Sequence, residues 1–461
     1  MLQPRNESSP TDVEDWMNCI QVVELIIKTR ELPARSAKKK AKHLYPLSRE
    51  IWSRFPAELH DCILDHLHDD RKTLAACSLV CKSWNVSSTY RLFHDAATIR
   101  VHQQNYRQLL EVLAGQRLNV YIGRLHLIGY VYPWSDGDWS FQFNDRLGAF
   151  MGLPCVKFLC LEYHHTTILP RFSAAIAQNF SGVTDLELRS IQLDSCTIFF
   201  QVIAALPLLR RLALVQMRWY NAGVKILPEQ KLSSMDAVPR NLVDLVIDRL
   251  TCSNTGAGRS SKMAPMLLWL TSHLSIRRLT IGKLHAHLAT PLLTGLLGPG
   301  LSHLIIHADH AHGLDLSRAA LRTFEITNIP CDRTRPKNIW VAALLSRSFQ
   351  RHSTASPPTP VPQRLALFLD LLDQEGLDTI YWPEIADVFT EMASPREGTA
   401  VSAAPAPGGP GMGTGLQRVD IFVSQFKTWA EDSVPERLPA PRSYMLRTGQ
   451  GKRQYTLDMF G

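Results

Sequence analysis

The chain has 461 residues, of which 45% are hydrophobic and 20% charged, an ordinary composition for a globular protein of about two to four domains. Fifty Lys and Arg face 42 Asp and Glu, but the excess of eight positive charges is spread along the sequence and interrupted by acidic residues. This distribution differs from the one-faced basic stripe of a nucleic-acid binder, so no nucleic-acid partner is predicted.

The cysteines and the apolar runs indicate in which cellular compartment the protein is expected. Nine Cys are present, an odd number without any CxxC pair. This usage predicts reduced thiols in a cytoplasmic or nuclear protein. Residues 1–15 lack the basic start and apolar run of a secretory signal, so no secretion is expected. The longest uncharged run, 284–308, is interrupted by Pro and Gly and predicts a helix, a turn and a strand in place of a membrane span.

Residues 1–49 predict an N-terminal extension with one helix and a basic linker. Thr11 and Glu14 have the spacing of a capping box, and the apolar positions that follow continue one helical face to about Lys28. An accessory helix is therefore expected at 11–28. The basic run at 35–42 fits either a nuclear import signal or a solvated linker.

Residues 50–95 predict three short helices. Pro56 can open the first helix, and Leu59, Ile63 and Leu67 recur every four residues, which places them on one face. Asp69-Asp70 interrupts this run and can cap the second helix. A module of roughly forty residues rarely buries enough apolar surface to fold alone. Part of its apolar surface is therefore expected to pack against another protein surface. The apolar positions that follow are Leu74, Cys77, Cys81, Trp84, Tyr90, Leu92 and Phe93.

These helices carry a resemblance to a known module. Its positions are Phe55-Pro56, Glu58-Leu59, Ile63, Leu67, Leu74, Leu79 to Lys82, and Trp84. The segment resembles the F-box, by which substrate receptors dock on a Skp-type adaptor of SCF ubiquitin ligases. The run LDHLHDD followed by LAACSLVCKSW is similar in particular to F-box proteins of mushroom-forming fungi. Phe55 stands where the family more often has Leu, and it keeps that position apolar.

The resemblance implies which residues meet the adaptor, through which the cullin and RING subunits would join. Trp84 is also expected to act as the internal packing residue of the module. The alternative is a helical hairpin that packs on its own domain and has no partner. The implied adaptor-binding residues are Phe55, Pro56, Leu59, Ile63, Leu67, Leu74, Val80 and Trp84.

From residue 96 onward an internal repeat dominates the sequence. The pattern apolar-x-x-apolar-x-apolar recurs at starts that are about 20 to 34 residues apart. The last two apolar positions alternate as in a strand with one buried face, and helix-like runs lie at 197–205, 265–273 and 291–297. The eight copies are Ile122-Leu125-Leu127, Val156-Leu159-Leu161, Val183-Leu186-Leu188, Leu209-Leu212-Leu214, Leu242-Leu245-Ile247, Ile276-Leu279-Ile281, Leu301-Leu304-Ile306 and Leu321-Phe324-Ile326.

This repeat is similar to the leucine-rich repeat over about residues 118–330. That family places an Asn inside each turn, where it satisfies backbone groups. In this chain the position holds Ile191, Met217, Leu250, Leu284 and Ile329. An irregular solenoid with another solution to hydrogen bonding in its turns is therefore expected. The predicted fold class is α/β: an N-terminal three-helix F-box, then short parallel strands alternating with helices.

The solenoid is expected to span 96–390. Within it the sequence predicts a flexible Pro-, Ser- and Thr-rich insert at 352–363, a helix at 365–372 and a strand at 377–382. Residues 391–415, rich in Ala, Pro and Gly, predict a disordered linker. Residues 416–461 predict a last strand at 416–421, a helix at 423–430 and a polar tail.

The sequence offers little catalytic chemistry. His303, His307, His310 and His312 crowd one stretch, but they fall across a strand and a loop, so turn or surface histidines are expected and no metal is predicted. Residues 256–262 have part of a phosphate loop, without the glycine before the lysine or the strand-to-helix setting. No nucleophile elbow, zinc-protease helix or kinase set is present, so no enzyme and no cofactor are predicted.

The predicted function is that of a substrate-recognition subunit of an SCF-type ubiquitin ligase in the cytoplasm or nucleus, with an unidentified protein client and no membrane. Two alternatives remain: an adaptor-bound F-box protein that acts outside a cullin ligase, and a leucine-rich-repeat scaffold without a ubiquitin role. If the client binds the strand surface, the outward positions between the buried pairs would hold it. These are Asp185, Glu187, Arg189, Arg211, Asp244, Asp248, Arg278, His303 and Glu325.

Overall fold

The computed structural model describes only part of the chain, which divides into two units, Met1–Glu162 with Ala175–Val183, and Tyr163–Ala174 with Thr184–Gly461. Several predicted features lie outside the described residues: Phe55, the helix at 11–28, the basic run at 35–42, the runs at 256–262 and 265–273, and residues 352–360, 394–415 and 424–430. The described residues are 56–67, 70–95, 98–101, 120–129, 153, 155–162, 176–193, 196–219, 241–252, 275–284, 286–312, 314–316, 319–331, 338–349, 361–371, 374–393, 416–423, 444–449 and 452–458.

The described part of the first unit begins with three short helices, α1 (Ala57–His66), α2 (Arg71–Ser78) and α3 (Lys82–Tyr90), followed by a π-helical turn at Arg91–Asp95. Pro56 precedes α1 and accepts a hydrogen bond from the Leu59 N–H at 3.1 Å. Asp70 caps α2 as predicted, because its Oδ1 accepts from the Thr73 N–H at 3.0 Å and its Oδ2 from the Thr73 hydroxyl at 2.6 Å. These bonds lower the pKa of the Asp70 carboxyl.

Three parallel strands complete the described part of the first unit: β1 (Ile99–Val101), β2 (Arg124–Ile128) and β3 (Phe158–Glu162). β2 and β3 were predicted from the repeat, whereas β1 was not. In each of β2 and β3 both alternating leucines of the signature are fully buried, so the strands turn one face inward.

Eight of the described strands in the second unit form one parallel series, in which each strand pairs with the next. The series is β4 (Asp185–Arg189), β6 (Arg211–Val215), β8 (Asp244–Asp248), β10 (Arg278–Ile281), β11 (His303–His307), β12 (Thr323–Cys331), β13 (Arg364–Leu371) and β14 (Arg418–Val423). A second parallel sheet is formed by the two-residue strands β5 (Gln192–Leu193), β7 (Arg218–Trp219) and β9 (Thr251–Cys252).

Helices follow several of these strands. They are α4 (Cys196–Ala204), α5 (Ala286–Leu296), α6 (Ala308–Ala311), α7 (Ile339–Phe349) and α8 (Trp382–Ala393), with a 3-10 helix at Gln374–Thr379. The protein is thus α/β, with parallel strands and helices, and each of the eight predicted repeat copies coincides with a strand. The predicted strand at 416–421 is confirmed as β14, and the helices expected at 197–205 and 291–297 as α4 and the end of α5.

Two secondary-structure predictions beyond residue 360 were wrong. The helix expected at 365–372 is strand β13, because Leu365, Leu367 and Leu369 alternate inward between two parallel neighbours. The strand expected at 377–382 is instead the 3-10 helix and the start of α8, where Pro383 lies in the first turn and its missing N–H costs nothing. α8 also continues to Ala393, into the predicted linker.

The predicted polar tail contains strands that the sequence analysis did not assign. Part of it forms two antiparallel strands, β15 (Tyr444–Gly449) and β16 (Lys452–Asp458), and β16 pairs with β14. The sequence of β16 alternates polar residues with Tyr455 and Leu457, which lie opposite Ile421 and Val419 of β14. Such a two-residue period supports a strand even where most residues are polar.

In the turns after the strands, backbone groups are hydrogen-bonded without an Asn side chain. Ser190, Gln216 and Arg249, each directly after a strand, have φ values of 51°, 55° and 51°. Their N–H groups donate to carbonyls near the ends of the neighbouring repeat, on Val215 at 2.8 Å, Asp248 at 2.8 Å and Lys283 at 2.7 Å. The left-handed residue then directs its successor inward, so apolar side chains are buried where Asn was expected, at Ile191, Met217 and Leu250.

Gly282, directly after β10, allows a close approach. A Cβ at this position would overlap with the carboxylate of Asp248, whose Oδ1 accepts from the Lys283 N–H at 2.9 Å. We expect Gly282→Ala to lower the free energy of unfolding of the second unit by about 1–3 kcal/mol, because Asp248 must move and that bond weakens. Urea unfolding measures the change. Gly298→Ala, where an added Cβ meets nothing within 4 Å, is the control, and an equal loss in both variants would contradict this explanation.

Candidate protein-binding surfaces

Large apolar side chains are exposed on the helical module, which we define as α1 to α3. Leu59 and Ile63 on α1 are 47% and 39% exposed, and Val80 between α2 and α3 is 61% exposed. Pro56, Leu59 and Ile63 share one side of α1 by helical spacing. Together with Val80 these residues form the apolar set, and all four are among the predicted adaptor-binding residues.

Three other predicted adaptor-binding residues face inward. Leu74 is fully buried with Leu64 in the core of the module, so its prediction as a direct contact was wrong. Leu67 and Trp84 are partly buried and pack against the same core. The Trp84 ring meets His60 edge-on, with the ring centres 5.8 Å apart. The reason is geometric: the short helices carry more apolar stripes than one core can hold, and spacing alone does not say which stripe turns inward.

Arg91 holds α1 in place on the side that faces away from the apolar set. Its Nε donates to the Asp65 carboxylate at 2.8 Å, its Nη1 to the Asp61 carboxylate at 3.3 Å and its Nη2 to the Asp61 carbonyl at 3.2 Å. Helical spacing places Asp61 and Asp65 away from Leu59 and Ile63. Arg91 was not predicted from the sequence, although two aspartates four residues apart indicate a place for a cation. Leu59 and Ile63 of the apolar set therefore lie on a helix that is held in one orientation.

The second candidate surface is the strand face, the solvent side of the eight parallel strands in the second unit. All nine predicted client-binding residues lie on it, in three rows fixed by the strand register. The first row contains Asp185, Arg211, Asp244, Arg278 and His303, the second Glu187 and Glu325, and the third Arg189 and Asp248.

Many of these charges pair with one another. Asp244 lies 3.1 Å from Arg278 and 3.8 Å from Arg211, and Arg189 contacts Glu187. Asp248 contacts Arg249 at 2.9 Å. Burial raises the pKa of Asp244 although both arginines act to lower it. Much of the charge on this face is thus compensated within the protein.

A buried charge cluster on β13 and β14 was not predicted from the sequence. Asp420 is fully buried, and its carboxylate meets Arg364 at 2.6 Å and Arg418 at 2.8 Å. Glu325 approaches Arg364 at 3.6 Å, and burial raises the pKa of the Glu325 carboxyl. Arg364 and Asp420 lie on strands that are far apart in the sequence. Their contact can be predicted only from the register of β13 and β14.

The four clustered histidines have structural contacts. His307 Nδ1 accepts from the Asp309 N–H at 3.2 Å, and His310 Nε2 accepts from the Leu284 N–H at 2.9 Å. The His312 ring packs on the Trp340 ring at 4.2 Å between centres. Among the described residues, no group of three or more His, Cys, Asp or Glu could hold a metal ion.

These histidines make the stability of the second unit depend on pH. Burial lowers the pKa values of His303, His307 and His312. The unfolded chain therefore binds more protons than the folded one below the ordinary histidine value of about 6.5, and stability falls as the pH drops through that value. We expect a lower unfolding temperature at about pH 5.5 than at about pH 7.5 by calorimetry.

Replacement of these three histidines by Gln removes the groups that titrate in this window. The variant is expected to lose most of the difference in unfolding temperature between the two pH values. An unfolding temperature that rises on acidification, or a triple variant with an unchanged difference, would contradict the assignment.

Comparison with models of known protein families gives no match for this chain, and comparison with curated protein sequences gives none either. In the part of the chain that the structure describes, no helix combines the length and the apolar character that a membrane crossing requires.

Proposed function

We propose that this protein is the substrate-recognition subunit of an SCF-type E3 ubiquitin ligase. Residues 50–95 act as an F-box that docks on a Skp-type adaptor, through which the cullin and RING subunits join. The later repeats form a divergent leucine-rich-repeat solenoid whose strand face holds the client. The observation that carries the proposal is the apolar set, exposed on a three-helix module whose residues resemble the F-box.

Docking would complete the burial of the apolar set. Full burial of a Leu or Ile side chain contributes about 1.5–3 kcal/mol. Leu59 and Ile63 are already about half covered within the module, so an adaptor that covers them would gain about 1 kcal/mol from each. Val80 and Pro56 would add to this gain. Arg91 supports docking indirectly, because it holds α1 in place through Asp61 and Asp65.

The receptor needs no catalytic residue or cofactor of its own in this mechanism. It holds a client lysine near the ubiquitin thioester carried by other subunits, which raises the effective concentration of the two reactants. The transfer of ubiquitin belongs to those subunits. We place this activity in the cytoplasm, the nucleus or both.

Affinity purification from cells, followed by mass spectrometry, tests this function. The wild-type protein is compared with a variant that combines Pro56→Ala and Leu59→Ala. We expect the adaptor, cullin and RING subunits to disappear from the variant while clients remain bound. Unchanged recovery of all partners would contradict the proposal and favour a leucine-rich-repeat scaffold.

The same purification separates the receptor from an F-box protein that acts outside a cullin ligase. The receptor requires the cullin to co-purify with the adaptor, and the half-life of a client to lengthen when the receptor gene is deleted. Recovery of the adaptor without the cullin, with unchanged client half-lives, would contradict the ligase assignment.

A further inference from the structure

Five arginines lie at the same end of three alternate strands in the second unit. Arg210, Arg277 and Arg322 immediately precede β6, β10 and β12, and Arg211 and Arg278 are the first residues of β6 and β10. All five are exposed. We call them the arginine rim. Their positions in the sequence are far apart, and the strand register brings them to the same edge of the sheet.

The backbone holds the rim in place. The N–H groups of Arg210 and Arg211 both donate to the Thr184 carbonyl, at 2.7 and 3.0 Å, and those of Arg277 and Arg278 both donate to the Val243 carbonyl at 2.9 Å. The Arg322 N–H donates to the Ser302 carbonyl at 2.7 Å. A repeated bond of this kind fixes the spacing of the backbone positions that carry the arginines, so less backbone entropy is lost when a ligand binds.

The charge of the rim is only partly compensated. Asp244 pairs with Arg278 and more loosely with Arg211. Asp185 lies at the equivalent position on β4 and accepts a hydrogen bond from the Thr184 hydroxyl at 2.7 Å. Five arginines and two carboxylates leave an excess of three positive charges. Within the described residues, Arg210, Arg277 and Arg322 have no ion-pair partner.

The positive charge of the rim also affects the pKa of His303. It begins β11, between β10 and β12, and Arg278 and Arg322 both lower its pKa in addition to the larger effect of burial. Asp244 acts in the opposite direction on the pKa of His303, but its effect is smaller than that of either arginine. A bound carboxylate near this position would reverse that effect.

We propose that the arginine rim binds an extended acidic segment of a protein client, with Asp or Glu at about every third residue. Arg210, Arg277 and Arg322 stand on alternate strands, so neighbours in this group are about 10 Å apart, since adjacent strands are about 4.8 Å apart. An extended peptide advances about 3.3 Å per residue, so three residues span the same distance. Guanidinium groups bind carboxylates through paired hydrogen bonds. The ligand is part of a client only if the protein is the receptor proposed above.

Fluorescence anisotropy with the full-length protein tests the rim. The probe is a labelled peptide of about ten residues with Glu at every third position and Gly or Ser between, at an ionic strength of about 0.05 M. A variant combining Arg210→Ala, Arg277→Ala and Arg322→Ala is expected to bind about tenfold more weakly than the wild type. The control combines Lys72→Ala, Lys82→Ala and Lys157→Ala, which removes the same charge from exposed positions in the first unit.

Three results would overturn the proposal. The control variant loses as much affinity as the rim variant, a peptide with the same glutamates in one block binds as tightly, or single-stranded RNA of equal charge displaces the peptide more readily than unlabelled peptide does. The expected result also includes an upward shift of the His303 pKa on peptide binding, measured by NMR. Adaptor capture by the rim variant, tested in parallel, separates failure of the rim from failure of the receptor assignment.

Discussion

Leu74→Ala is expected to lower the opening free energy of the helical module by about 2–5 kcal/mol. Leu74 is fully buried and packs with Leu64, Cys77, Leu92 and Phe93, so its truncation leaves a cavity that the short helices cannot close. Hydrogen exchange of the backbone amides in α1, α2 and α3, measured on the full-length protein, localises the effect. Faster exchange throughout the module is the expected result.

Val80→Ala is the control for this substitution, because Val80 is exposed. We expect it to change the exchange rates by the equivalent of less than about 0.5 kcal/mol. If Leu74→Ala left exchange unchanged, or if both variants had the same effect, Leu74 would not belong to the core. This comparison separates the residues that hold the module together from those available to a partner.

Asp420→Asn is expected to lower the free energy of unfolding of the second unit by about 2–4 kcal/mol. The substitution keeps the volume but removes the charge that meets Arg364 and Arg418. Asp420 is fully buried, whereas the two arginines are 38% and 32% exposed. Partial hydration of their guanidinium groups therefore limits the loss. Urea unfolding at neutral pH measures the effect.

Asp185→Asn, on β4, the first of the eight parallel strands of the second unit, provides the comparison. The Asp185 carboxylate accepts a hydrogen bond from a neighbouring hydroxyl, and its loss is expected to cost less than about 1 kcal/mol. A similar loss in both variants would show that the position of the charge in the sheet is unimportant and would contradict the cluster at β13 and β14.

The repeated strands could be predicted because one short pattern determines them. Each copy has two alternating apolar residues that a strand with one buried face requires, and the structure buries pairs such as Leu186 and Leu188. The run at 364–371 could not be assigned in the same way. It is apolar on both faces in the sequence, with Ala366 and Leu367 both buried, and such a run fits a helix as well as a strand.

The division between core and surface in the helical module could be predicted only in part. Leu59 and Ile63 were placed correctly on one exposed side of α1, but Leu74 was placed on the surface. Spacing identifies the apolar side of a helix, whereas the choice of which side turns inward depends on neighbouring helices. Arg91 contributes to that choice through Asp61 and Asp65.

The arrangement of charges on the folded protein was the feature hardest to predict from the sequence. Along the chain the positive excess is spread out, and on that basis no concentrated basic surface was expected. The strand register nevertheless gathers Arg210, Arg277 and Arg322 at one edge, and it pairs Arg364 with Asp420 across two strands. Such contacts follow from topology, because parallel neighbours in a repeat protein are distant in sequence.

The most direct test of the proposed function is calorimetric titration of the purified full-length protein with a purified Skp-type adaptor. The wild type is expected to bind, and a variant combining Leu59→Ala and Ile63→Ala to bind at least about tenfold more weakly. The matched control combines Leu208→Ala and Ile339→Ala, which alter side chains of the same types that are 48% and 50% exposed in the second unit. It is expected to bind as the wild type does. Absence of binding by the wild type, or equal weakening in both variants, would contradict the assignment of the helical module as an F-box.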